Sequence, residues 1–591
     1  MRARAGQGDA MGEIIRKGLV CLGLSVTFWF SAGCVMGGHG GGGGGMRVPG
    51  PTLTSLSPST LVAGGPTFTL TVQGSGFVPG GSLFWNNAGL GQYMFVSSTE
   101  VTIPVGANYI TNPGSVSIVA SIPTPNSDPS NALSLTINSF SSSACVLFGG
   151  YDFFFTGFDA SGPVTIAGQF GVDANGNISG EEDFKDLAGT KVALPITGGS
   201  CANGSTPDEG TLSLVTTMGT SNYTFSTQDK PTPGAKGQLA ESGDANGISG
   251  SGRFNFSPPA SFLSGDYVFA FVGADSGGGR MGFLGRFTDS NTCENCAGTL
   301  ASGISDLNDN NSITASAPIS GSITAPDLYS RSLVTMTLGS QTLTFAFYVV
   351  SSQLAFAVEV DSGNSTPLLA GFVGSQANAG GYGNNYLNAP VVFSSWGASP
   401  APPSSTTSVG LASGFNSSAG TMNLSFDAVS GGVASLNLSI AGTYQIASSG
   451  RATMSYTLGE KTHNLILYLD DQNDGYLLEN SDNVSFGFFS AQSAGPFSAS
   501  TLNGTFVGGT WFPPVSLSPN FTGAIIMNGG TISGDVTGTY SVDPASGRGT
   551  ATVNLPVFGS DNLVFYIVGP NNFMVMGSDP VDTDTIGFLH L

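Results

Sequence analysis

The sequence predicts an all-β protein, in which a small N-terminal sandwich precedes about four related antiparallel β-barrel or sandwich units. Three observations carry this. The first is repetition. Gly442-Thr443-Tyr444 returns as Gly538-Thr539-Tyr540, Arg451 as Arg548, Tyr468 as Tyr566, Asp482 as Asp579, and Gly487-Phe488 as Gly587-Phe588. An earlier copy runs through Gly321, Arg331, Tyr348, Asp361 and Gly371-Phe372, and Arg precedes Tyr by 17, 17 and 18 residues in the three copies. The second is composition: among 591 residues there are 88 Gly and 40 Phe, and only 9% are charged, a profile poor in helix-forming charge pairs. The third is texture. Runs such as Thr67 to Val72 and Gly114 to Val119 alternate with period two and end in glycine-rich turns.

Acidic residues outnumber basic ones, 38 to 16, giving a formal charge of −22. That surplus repels phosphate backbones, so nucleic acid is excluded as a partner. The length suits about four to six domains of ordinary size.

Residues 1–34 read as an export signal. Arg16-Lys17 precede an uncharged run from Gly18 to Gly33 that is too short for a comfortable transmembrane span and ends in small residues; Met1 or Met11 is the start. The run closes on Ser31-Ala32-Gly33-Cys34, which resembles the bacterial lipobox, with Ser31 standing where Leu is usual. The resemblance implies acylation of Cys34, a lipid anchor, and a place in the cell envelope, at the outer membrane or cell surface. Ordinary cleavage and an uncleaved anchor are the alternatives. Residues 35–50, with Gly40 to Gly45 at their centre, cannot pack a core and form a flexible tether.

Residues 51–138 carry Pro51 and Pro58, Gly64-Gly65, Val72 to Phe77, Val101 to Pro104 and Gly114 as turn punctuation between short strands. On these residues the segment resembles the IPT/TIG family of immunoglobulin-like β-sandwiches. The resemblance implies a non-catalytic domain for protein or carbohydrate contacts, or a spacer.

Four units in series follow, at 140–262, 263–380, 381–495 and 496–591. Tyr151-x-Phe153-x-Phe155-x-Gly157-x-Asp159 matches Tyr267-x-Phe269-x-Phe271-x-Gly273-x-Asp275, and Gly168-Gln-Phe170 matches Gly285-Arg-Phe287. Alternate aromatics on a strand share one face. The first unit has a degenerate second half, and the third a degenerate first half. Each unit holds about eight short strands, too many for a propeller blade. The aromatic faces either fill cores or line ligand cavities.

Residues suited to chemistry are few. Of three His, His39 falls in the tether, His590 near the end, and His463 has no evident partner in the sequence, which argues against a catalytic triad or a multi-His metal site. In an exported chain, Cys145 with Cys201 and Cys293 with Cys296 suggest two disulfides. Acidic turns at Asp173, Asp244, Asp306 and at Asp470, Asp471 and Asp474 are weak Ca²⁺ candidates, since no bidentate Glu completes a loop; Asx-Gly turns explain them without metal. Trp85, Trp396 and Trp511 would stack on a ligand if exposed. No cofactor is expected. The favoured function is non-catalytic: structural, adhesive or ligand-binding at the cell surface, with a glycan or protein partner. A polysaccharide-acting enzyme would need two carboxylates in one cleft, and a lipid or small-molecule carrier would need a hollow barrel.

Overall fold

The computed structural model describes residues 48–578 apart from 125–126, 142–144, 205–208, 228–235, 243–246, 259–261, 294–295, 364–365, 401–402, 482, 510–521 and 556–558. The protein is all-β: among the described residues the helical turns are three short 3₁₀ segments, at Ala107–Ile110, Asn384–Tyr386 and Ala499–Thr501.

Residues 52–138 form a four-stranded and a five-stranded sheet around one apolar core. In the strand Phe68–Ser75, Leu70 and Val72 point inward and Thr69 faces solvent, as the alternation requires. The sandwich rests on the next sheet at Gly171, where a side chain would collide with Pro66.

Next comes a nine-stranded sheet from Gly149–Phe158 to Ser249–Phe256. Two closed eight-stranded barrels follow, from Gly265–Ala274 to Leu368–Ser375 and from Val391–Pro400 to Val484–Ala491. A seven-stranded sheet from Gly504–Gly509 to Asn572–Gly577 ends the described chain. Tyr348, Tyr468 and Tyr566 all lie on the sixth strand of their sheet, each directly opposite Arg331, Arg451 or Arg548 on the fifth. Gly371-Phe372 and Gly487-Phe488 lie on the eighth. Asp482, Asp579 and Gly587-Phe588 fall outside the described residues.

The aromatic opening motif is a cross-strand pairing rule. Tyr151 pairs with Phe170 and Phe153 with Gly168; Tyr267 pairs with Phe287 and Phe269 with Gly285. A Cβ would lie 2.6 Å from the Phe153 ring at Gly168 and 2.5 Å from the Phe269 ring at Gly285. The glycines therefore let each ring lie flat across its partner strand.

The sheets share apolar faces. One cluster joins Phe154 of the nine-stranded sheet to Phe356 and Phe372 of the first barrel and to Trp396 and Phe486 of the second. Another joins Val409 and Leu411 to Tyr566, Met574 and Met576. Full burial of each large apolar side chain stabilises by about 1.5–3 kcal/mol. The strands Gly504–Gly509 and Thr522–Asn528 pack back against Gly219–Thr227 and Lys236–Glu241. The last sheet thus returns to the first, and the units form a closed group rather than the extended series that the repeats suggest.

Candidate functional site

The Arg and Tyr of the repeat meet a carboxylate from the preceding sheet. Arg331 forks onto Asp183 with Nε and Nη2 at 2.6 and 2.9 Å, and the Tyr348 hydroxyl donates to the same carboxylate at 2.8 Å. Arg451 and Tyr468 treat Asp306 the same way, at 2.7, 2.6 and 2.8 Å. Arg548 and Tyr566 do so with Asp427, at 2.8, 2.6 and 3.0 Å. Each Asp sits at a register shift on the third strand of its sheet, where a bulge turns one side chain toward the neighbour. A fourth donor comes from the amide ten residues on, at Ala193, Ser316 or Asn437, each with positive φ. Every carboxylate is buried and fully bonded. Burial, reinforced by the Asp306 charge, holds the Tyr468 hydroxyl well above its usual range. These are structural staples, and a buried Lys185–Glu359 ion pair adds another between the nine-stranded sheet and the first barrel.

The two closed barrels differ inside. The first is filled by Phe269, Phe271, Phe283, Phe345 and Phe347, whose ring centroids stand 4.7 to 6.3 Å apart. The second encloses a cavity of about 460 Å³, within the range of small-molecule sites. The pairing register explains why. Phe393 pairs with Gly410 as Phe269 pairs with Gly285, so Ser395 stands where the first barrel has Phe271, Ser408 where it has Phe283, and Ala412 where it has Phe287. Tyr468 answers to Tyr348, so Leu465 and Leu467 replace Phe345 and Phe347. A sixth ring is lost at Val391, which stands where the first barrel has Tyr267, while Phe426, Tyr456 and Phe489, in place of Ser305, Met336 and Val373, refill only part of the space.

The cavity is polar at one end. Val391 pairs with Ala412 at the apolar end, and Ser395 with Ser408 nearer the other. Thr406 pairs with Ser430, and Tyr456 with His463, at that same polar end. There His463 Nδ1 lies 2.9 Å from Glu479 Oε1, which also accepts from Ser481 Oγ at 2.8 Å. The imidazole stacks on Tyr456 at 4.9 Å. Val433, on the rim, is 66% exposed.

Several sequence expectations change here. His463 has a partner, Glu479, which the neighbouring strand brings alongside from sixteen residues away. Asp306 is no turn ligand, because its strand buries it in a staple. Trp85 and Trp396 are 7% and 5% exposed, packed against Tyr109 and against Phe486 and Phe488, so neither offers a face to a sugar ring. Among the described residues no three His, Cys, Asp or Glu side chains are grouped to hold a metal ion, and this includes Asp470, Asp471 and Asp474. Asp470 and Asp474 are instead pushed up to about 7 and about 6, chiefly by burial, and neither lines the cavity. Asp173 closes an Asx turn onto the amides of Asn175 and Asn177. Cys145 and Cys201 are joined with Cα atoms 5.6 Å apart, and Cys293 and Cys296 at 5.3 Å. Cys34, His39, Trp511, Asp244 and His590 lie outside the described residues.

The staple carboxylates Asp183, Asp306 and Asp427 escaped sequence reasoning. Asp427 stands inside an apolar strand run, Ser425-Phe426-Asp427-Ala428-Val429, but Asp183 follows Glu181-Glu182 and Asp306 lies in the polar run Ser305-Asp306-Leu307-Asn308-Asp309, so no shared local pattern marks the three.

No family model matches the chain, and no curated protein matches it. Among solved structures it is similar to intact Ap-TbpB (N and C lobes), at 11% identity over 62% of this chain and 85% of that one, with a TM-score of 0.17. It is also similar to a double mutant of the vaccine antigen Transferrin Binding Protein B from Haemophilus parasuis Hp5, at 9% identity over 62% of this chain and 84% of that one, with a TM-score of 0.17.

Proposed function

We propose that the chain is a non-catalytic ligand-binding protein of the cell envelope and that its binding element is the hollow second closed barrel. The observation that carries this is the loss of core rings at Val391, Ser395, Ser408, Ala412, Leu465 and Leu467, in a barrel whose neighbour keeps them. A cavity costs stability, so a function is the natural reason to keep one. The Asp–Arg–Tyr staples tie the barrel to the sheets on either side of it, and a preformed cavity lowers the ordering cost of binding. In the same reading residues 1–34 export the chain, Cys34 is acylated, and the tether 35–50 presents the units 51–138, 140–262, 263–380, 381–495 and 496–591 at the surface. Two disulfides suit an oxidising compartment.

The test is titration of the purified protein with the neutral apolar dye N-phenyl-1-naphthylamine. One saturable site is expected, and it is lost when Ser408→Phe and Ala412→Phe restore the rings of the first barrel. Saturable binding that survives the filled barrel refutes the site. Hydrolytic turnover abolished by Glu479→Gln would make the protein an enzyme instead.

A further inference from the structure

We infer that the barrel cavity selects an amphiphile with an uncharged, hydroxyl-bearing head, held with its apolar body at the Val391 end and its head beside Glu479. This rests on the reading of that barrel as the binding element and adds the chemistry of its ligand.

The polarity gradient orients the occupant. From Val391 to Ser395 the lining passes from apolar to hydroxyl-bearing over four residues, roughly 13 Å of strand at about 3.3 Å per residue. Ser408 and Ser395 bond each other at 2.7 Å, but a wholly apolar ligand would cover the hydroxyls of Thr406, Ser430 and Ser485 without offering them a hydrogen bond, which is costly. An amphiphile meets both ends.

Charge selects the head. Glu479 is the innermost charged group at the polar end, and its side chain is only 10% exposed. Its Oε1 already accepts from His463 and Ser481, so at that oxygen a cationic head would compete with protein donors that are in place. A carboxylate head would sit beside a buried carboxylate, on a chain whose formal charge is −22, and like charges at close range repel strongly away from water. Lys461 stands at the exposed outer rim, where solvent and salt screen its attraction for anions. Serine and threonine hydroxyls both donate and accept, and they match a hydroxyl-bearing head in either role.

Four probes with one chain length isolate the head: 1-decanoylglycerol, decanoate, decyltrimethylammonium and decane, each titrated into the full-length purified protein by calorimetry or by displacement of the naphthylamine dye. Decanoylglycerol is expected to bind at least tenfold tighter than the other three. Glu479→Gln is expected to narrow its margin over decanoate by raising decanoate affinity. Melting curves of the variant establish that it is folded. If decanoate, the ammonium or decane binds as tightly as decanoylglycerol, the head assignment fails while the binding reading stands. If no probe and no dye binds, both fail.

Discussion

Arg451 forks onto Asp306 across the junction of the two closed barrels, at 2.7 and 2.6 Å and from 145 residues away in the chain. The carboxylate is 1% exposed, and Tyr468 and the Ser316 amide satisfy its remaining acceptor capacity. Removing one partner leaves a buried charge unpaired, which is far costlier than removing all the partners together. Asp306→Ala is therefore expected to lower the unfolding free energy by about 3–5 kcal/mol, read from urea denaturation. Asp306→Leu combined with Arg451→Met and Tyr468→Phe is expected to recover most of that loss. An unchanged midpoint in Asp306→Ala would refute the staple.

Stability is expected to fall as pH rises from 5 to 8. Burial pushes the Asp152 carboxyl up to about 7 from 3.8, and Asp470 moves in the same direction to about 7. Between the unfolded and folded values the native state binds more protons than the unfolded chain, so raising pH through that window destabilises it. Each group contributes about 1.4 kcal/mol for every tenfold difference in proton affinity between the two states. The melting temperature should be higher at pH 5 than at pH 8, and Asp152→Asn should flatten the profile. A flat profile in the native protein contradicts the assignment.

The two disulfides should differ in worth. Cys145 and Cys201 are separated by 56 residues and Cys293 and Cys296 by 3. The chain-entropy model gives about 4 kcal/mol for the long loop and about 2 kcal/mol for the short one. Denaturant midpoints of the two paired Cys→Ala variants measure the ratio, and equal losses would show that loop closure is not the source.

Exchanging the barrels' core residues should act asymmetrically. Phe271→Ser opens a void in a filled core and is expected to cost about 3–5 kcal/mol. Ser395→Phe places the equivalent ring in space that is already empty and is expected to change stability by less than about 1 kcal/mol. Comparable losses from both would show that the second barrel has no room for the ring.

Periodicity and composition determined the fold class, because alternate residues of a strand face opposite sides whatever lies beyond them. Repetition likewise marked Arg331, Arg451, Arg548 and their tyrosines as equivalent, and the weakened first half of the unit at 381–495 was visible as a departure from the motif. Tertiary structure decided what those features do. An Arg pairs with an Asp 121 to 148 residues away, and no local pattern specifies which Asp, since the pairing depends on how two sheets dock. The burial of Trp396 and the return of the last sheet onto the first depend on inter-sheet contacts that no single strand encodes. The same holds for the cavity: Ser395 and Ser408 are unremarkable on their own strands, and only the register that sets them against Phe271 and Phe283 of the neighbouring barrel shows that space, rather than a side chain, occupies the interior.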